Sequence, residues 1–468
     1  MATRRPRRPV SVVVRRATVI ESESWGGVVI RREALREYAS GSLWVWPSLA
    51  ALLALAAGWS MSLIRAAPGS VFSPLAFPGT SDDARNLLTT ITSTVVTVIA
   101  LVLGLTVVAL QLSSTQFSPR LLRNFIRDRP NQVALSVFVA TFAYSAAGLY
   151  TVGSAAKSGT QDFPRLAVSG AIVLLFASLA MVVFFADHLM HSIQIDAITK
   201  RVEQATLAVV ADRLGSIQDS PPVPDRAVPV PAVHSGYVQV VHPSKLLPLA
   251  SRDCTYLRLC KRVGEHVVAG TPLAWIWHAD PEGHTPDPAL FGRAVDRAIQ
   301  IGFERTLEQD AAFGIRQLVD VACKALSPAV NDPYTAIQSI DHLSVIFCAL
   351  ARRPLGDYLV RDTEQRAVVI IPGRRFGDYL STMCGLIRRY GAKEPTVSVA
   401  LIRLLANCVA VVEDDPARWQ AIAEQADLIL ADATREVAQP RDLTGVQAAE
   451  QALQQTLHRH LRPPPVDL

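Results

Sequence analysis

The chain has 468 residues, of which 50% are hydrophobic and only 19% charged, and its mean hydropathy is +0.25. Soluble globular chains carry about 25% charged residues, so a uniformly soluble protein is excluded, and this much apolar surface excludes disorder as the main state. The net charge of +5 is too small and too localised to point to nucleic acid.

Residues 1–42 form a basic segment with nine arginines (Arg4, Arg5, Arg7, Arg8, Arg15, Arg16, Arg31, Arg32 and Arg36). The first apolar run begins too far from Met1, and is too long, for a cleaved signal peptide. A basic tail of this kind rests on anionic lipid at about 1 kcal/mol per charge.

Within residues 43–186 lie four uncharged apolar runs: Leu43–Ile64, Leu87–Leu112, Gln132–Val152 and Leu166–Ala186. Each has at least 21 residues, and a helix needs about 20 to cross ~30 Å of hydrocarbon. Four transmembrane helices are therefore expected. Arginines and lysines set the orientation. The N-terminal segment, the loop carrying Arg120, Arg123, Arg127 and Arg129, and Lys200–Arg201 hold fifteen of them, whereas the other two loops hold only Arg65, Arg85, Lys157 and Arg165. This bias places both termini in the cytoplasm.

The first run carries Ala50, Ala54 and Gly58 at four-residue spacing, a face that permits close helix approach. The second is rich in hydroxyls, and Thr90, Thr94 and Thr97 share one face. Two readings stand for that face: hydroxyls bonded within the helix bundle, or the lining of a hydrated pathway. No ionisable residue lies mid-span, which argues against a proton relay.

Helical patterning continues through residues 187–218 as an extension of helix four. Five prolines between Pro221 and Pro231 then mark residues 219–232 as an extended linker. Residues 233–280 read as a β-module, with strands at Gly236–Val241 and Thr255–Leu259 and two more within Val263–Trp277. Its glycine spacing is similar to the barrel-sandwich fold of biotinyl and lipoyl carrier domains, but the carrier lysine between two methionines is absent. Residues 281–462 read as a helical domain, with apolar stripes at Ile315, Leu318, Val319, Ala322 and Leu326, and at Ile337, Ile340, Leu343, Phe347 and Leu350. Asp332-Pro333 between them has the form of an N-cap with proline at the first helical position. A strand is expected at Ala367–Ile371, and helices at about Phe376–Tyr390, Thr396–Val412, Ala417–Ala431 and Thr444–His460. Residues 463–468 form a tail. The whole is an α-helical membrane protein with four transmembrane helices, plus a cytoplasmic α+β region (a small β-barrel-like module followed by a mostly helical domain).

Two passages are distinctive. Gln111 to Phe125, which includes Gln116, Ser118 and Arg120, lies where helix two leaves the membrane. The other begins at Glu304-Arg-Thr-Leu-Glu-Gln-Asp310 and runs through Phe313–Asp320 to Ala325–Pro333. Together they resemble the bacterial predicted-membrane-protein family known as domain of unknown function 2254, from the first membrane helix to about residue 460. The resemblance implies a bacterial inner-membrane protein and brings with it no substrate, cofactor or catalytic residue.

Candidate chemistry is sparse. Asp187, His188 and His191 gather near the end of helix four, a weak candidate for a divalent metal; interfacial histidines need none. The six cysteines include no C-x-x-C pair, so reduced core thiols are expected. No phosphate loop, nucleophile elbow or zinc-protease motif is present, which argues against an enzyme. Glu304, Arg305, Glu308 and Asp310, with Asn331 and Asp332, concentrate polar groups that suit a subunit interface or a ligand site. The function expected is that of a homo-oligomeric, channel-like protein regulated by its cytoplasmic part. The alternative is a membrane-anchored sensor, enzyme or scaffold.

Overall fold

The computed structural model describes residues 44–63, 76–116, 129–157, 163–192, 194–212, 220–364, 366–413 and 415–461. The basic N-terminal segment, Ser118, Arg120 and the 463–468 tail lie outside the described residues. The chain divides into two units: residues 1–103 with 124–185, and residues 104–123 with 186–468.

The first unit is helical. It holds α1 (Val45–Leu63), the first part of α2 (Ser81–Gln116), α3 (Arg129–Lys157) and most of α4 (Arg165–Ser192). All four helices are long and apolar enough to cross a membrane. The small-residue face of α1 does what its spacing predicts, since Ala54 and Gly58 are buried and α1 packs along α3. A β-carbon on Gly58 would sit 3.1 Å from Ala147 Cβ. Between α3 and α4 the hydroxyls of Thr141 and Ser178 hydrogen-bond at 2.8 Å. Gly170 leaves room for the ring of Tyr144, and Leu88 of α2 packs over Gly148. One stripe of α2 is thereby buried: Ala84, Leu88, Ile91, Val95 and Val102.

Beyond Ala186, where the sequence pattern stays helical, α4 runs on to Ser192 and a further helix follows, α5 (Ile195–Asp212). It turns Val202, Thr206 and Val210 into the helical core.

The sheet region corrects the barrel expectation: its strands form two open sheets. One is five-stranded, in the order β1 (Val228–Pro231), β5 (Pro272–His278), β3 (Thr255–Leu259), β8 (Val368–Ile371), β7 (Tyr358–Arg361). The other is three-stranded, with β4 (His266–Val267), β2 (Gly236–Val241) and β6 (Ile299–Gly302). The physical reason lies in how the apolar faces are covered. Helices α6 (Pro243–Arg252) and α7 (Pro288–Ala298) cover the sheets with Leu246, Ala250, Phe291 and Val295, so no closure is needed to bury them. Four strands also come from outside residues 233–280. β1 arises within the proline-rich stretch, and Pro229 and Pro231 are tolerated because β1 is an edge strand pairing only with β5.

The helical core comprises α5, α8 (Ala311–Ala325), α9 (Pro333–Ala351), α10 (Phe376–Gly391), α11 (Pro395–Val409), α12 (Pro416–Glu436) and α13 (Pro440–Leu461). The predicted cap at Asp332 is present: its carboxylate accepts from the Thr335 N–H at 3.1 Å, and Pro333 opens the helix. α9 is a fifth helix long and apolar enough to cross a membrane. It packs against α5, α8 and α11. Mid-helix, Asp341 pairs with Arg403 at 2.5 Å and His342 with Glu203 at 2.5 Å.

Candidate functional site

The polar cluster after β6 resolves into one buried pair and several exposed groups. Asp310 caps α8, accepting from the Phe313 N–H at 3.2 Å. Its other oxygen receives both Nε (2.9 Å) and Nη2 (2.7 Å) of Arg305. Arg305 in turn lies 5.1 Å from the ring centre of Phe313. Burial raises the Asp310 carboxyl above its usual range, against the pull of Arg305 and Arg374. Gly264, at φ +86°, admits this pair, because a β-carbon there would collide with the Asp310 carboxylate. Nearby, Gln309 binds both backbone groups of Val241, accepting its N–H at 3.0 Å and donating to its carbonyl at 3.3 Å. It thus stands in for a strand partner of β2.

Glu304 and Glu308 do not join this pair, since both are exposed. The Glu304 carbonyl receives the side-chain amide of Gln239 at 2.7 Å. Asn331 serves a turn: it adopts φ +51° and its N–H reaches the Ser327 carbonyl at 2.9 Å. Asp332 is committed to its helix cap.

The other sequence candidates separate in the same way. His191 Nδ1 lies 2.8 Å from the Asp187 carbonyl and 3.5 Å from its carboxylate, both side chains exposed. No group of three or more metal-ligating side chains occurs among the described residues, here or elsewhere. Thr90, Thr94 and Thr97 are exposed on α2, to one side of its buried stripe. Thr90 donates to the Asn86 carbonyl at 2.8 Å and Thr97 to that of Ser93 at 3.1 Å. Gln116 ends α2. The six cysteines are unbridged.

A feature with no sequence signal is a polar groove of about 1040 Å³ between the five-stranded sheet and the helices α10 and α12. Charged pairs fix its walls. Arg258 donates to Asp357 at 3.0 Å and to the Ser220 hydroxyl at 2.7 Å, while Asp357 receives the Gly373 N–H at 3.2 Å. On the far wall Arg418 pairs with Asp415 at 2.8 Å, donates to the carbonyls of Ala351 and Arg353, and lies 5.5 Å from the Phe376 ring centre. These residues come from stretches up to 198 positions apart (Ser220 to Arg418), which is why no local pattern reveals them.

Comparison with known proteins gives the chain its kin. An uncharacterized protein of Mycobacterium tuberculosis (strain H37Rv) is 42% identical over 450 residues, covering 93% of this chain and 85% of its own length. An uncharacterized protein of Mycobacterium bovis is similar to the same extent, and one from a second Mycobacterium tuberculosis strain is 41% identical over 450 residues. No solved structure matches. The family described as "Predicted membrane protein (DUF2254)" matches residues 40–407. With its several apolar helices, the chain is a multi-pass membrane protein and belongs to that family.

Proposed function

We propose that this protein sits in the bacterial inner membrane with four spans and both termini cytoplasmic. In this reading α9 is core and not a fifth span, because its charged and polar side chains are paired to neighbouring helices. Copies of the chain associate, and a passage for ions or small solutes forms between them, regulated by the cytoplasmic unit. The nine N-terminal arginines rest on anionic lipid. No catalytic activity is assigned.

The observation that carries this reading is the exposed face of Thr90, Thr94 and Thr97. Threonine oxygens on a membrane helix gain more from water or a second helix than from acyl chains. Thr90 and Thr97 already donate their protons to their own backbone, so what they offer outward is lone pairs. Such a lining favours water and cations over anions. Closed rotational symmetry is the usual way for identical chains to bring one face together around an axis.

The test is flux of monovalent cations in liposomes holding the purified protein, together with its mass in mild detergent. An oligomer with flux above empty vesicles, altered by Thr94→Leu without loss of assembly, is expected. A monomer, or flux equal to that of empty vesicles across ions and voltages, overturns the reading. A second reading, a membrane-anchored sensor, is favoured by the polar groove in the second unit.

A further inference from the structure

Beside the groove lies a smaller cavity of about 100 Å³, and the two share Arg262, Leu355, Gly356 and Gly373. Two glycines make the junction. A β-carbon on Gly373 would strike the carbonyl of Gly356, which itself adopts φ +128°. The cavity is lined by Arg262, Arg374, Asp310, Gln309 and Tyr379. Its charges do not balance. Asp310 is already neutralised by Arg305 through two hydrogen bonds, and Arg262 is only loosely held by Asp378, at 3.6 Å. Arg374, half-buried, makes no ion pair among the described residues, and the nearby Asp310 carboxylate that it attracts is already held by Arg305. An uncompensated guanidinium partly removed from water is costly unless an anion completes it.

The second observation is independent of charge. Tyr379 is 6% exposed and lines the cavity. Its hydroxyl has no hydrogen-bond partner among the described residues, yet it is not sealed off. A hydroxyl on a mostly buried ring that still reaches the cavity is free to donate to a group bound there. Burial, with Asp310 and Asp378 nearby, pushes its pKa up to about 12 despite Arg374 and Arg262, so it remains a donor.

We propose that this cavity is the binding site for the oxyanion head of a small, water-soluble metabolite, a phosphoryl or carboxylate group held by Arg374, Arg262 and the Tyr379 hydroxyl. The body of the ligand lies in the adjoining groove. That groove suits a polar body, because its walls alternate Arg258, Asp357, Arg418 and Asp415. Planar guanidinium groups hold such oxyanions through paired hydrogen bonds. The proposal goes beyond the passage reading and stands whether or not the membrane helices conduct.

The test measures the unfolding temperature and heat of binding of the full chain in detergent with inorganic phosphate, pyrophosphate and acetate, against sodium chloride at equal ionic strength. At least one oxyanion is expected to raise the unfolding temperature, where chloride does not. Phosphate acting alone, acetate alone or both identifies the head group. Arg374→Gln is expected to weaken that binding at least about tenfold, and Tyr379→Phe to weaken it several-fold. Arg374→Gln removes no hydrogen bond or ion pair present in the free protein, so its folding serves as control should Tyr379→Phe misfold. Equal responses of wild type and Arg374→Gln, or no response to any oxyanion, overturn the proposal. Neither result depends on flux.

Discussion

Two aspartates in the second unit answer to pH in opposite directions. At the α9 cap, the Thr335 hydroxyl and N–H hold Asp332 below its ordinary carboxylate range. Its contribution is therefore complete above the unfolded-state pKa of about 3.9 and is lost as pH falls through the lower folded value. Asp332→Ala is expected to cost about 1 kcal/mol at neutral pH, read from the denaturation midpoint, and to cost less in strong acid. Asp310 is raised by burial, so its contribution is complete in acid and declines as pH rises through the folded value. Asp310→Asn should therefore gain stability relative to wild type with rising pH, and a constant difference across the range would contradict the buried-charge account. A third residue is open to chemical labelling. A hydrogen bond with Cys408 pulls the half-buried Cys348 thiol below its ordinary value, whereas full burial pushes Cys384 up to about 12. Mass spectrometry after brief iodoacetamide treatment should find Cys348 modified well before Cys384. Of these sites only Asp332 was legible in the sequence, because capping is a local, four-residue affair. Glu304 and Glu308 stand beside Arg305 in the sequence, but that stretch is not helical and does not turn them toward it. The acid that Arg305 reaches is the cap of the following helix.

Among the elements, those whose evidence lay in periodicity came through. The four apolar runs, the strands at Gly236–Val241 and Thr255–Leu259, and helices α10 to α13 form close to where the pattern put them. The misses share a cause. α6 and α7 are short and begin with proline, so their few turns carry little periodic signal, and β6 and β7 have four residues each. The barrel expectation failed because glycine spacing reports turns, not what covers a sheet. Close packing at this scale can be tested through the small residues. Gly58→Leu should separate α1 from α3 and cost about 1–3 kcal/mol, visible as a lower unfolding temperature in detergent. Leu53 on the exposed side of α1 supplies the control, since Leu53→Ala should change little.

For the whole molecule, topology is the reading most directly open to test. Reporter fusions at Gly69 and Gly159 should lie outside the cytoplasm, and those at Asn124 and the C-terminus inside; a cytoplasmic signal at Gly69 would invert the scheme. Charge bias and span length are the grounds the sequence offers for this arrangement, because the membrane constrains both. The groove and its cavity were not readable, because they exist only where strands and helices distant in the chain come together.

That distance has a consequence for biogenesis. β3 runs parallel to β8, with Leu257 beside Val369, and the helices α8 and α9 are synthesised between them. While the ribosome is making those helices, β3 has β5 on one side and an open backbone edge on the other. Such an edge is a template for pairing with other chains, and it stays open until residues 368–371 have emerged. α8 and α9, rich in local contacts, can form during that interval, whereas the parallel pairing must wait. A nascent chain arrested at Gln365 should therefore aggregate or be degraded, whereas one arrested far enough past Gly373 for β8 to have left the ribosome should be protected at that edge. Pulse-labelling of stalled chains would measure the difference, which makes the last strand of the sheet a checkpoint in synthesis.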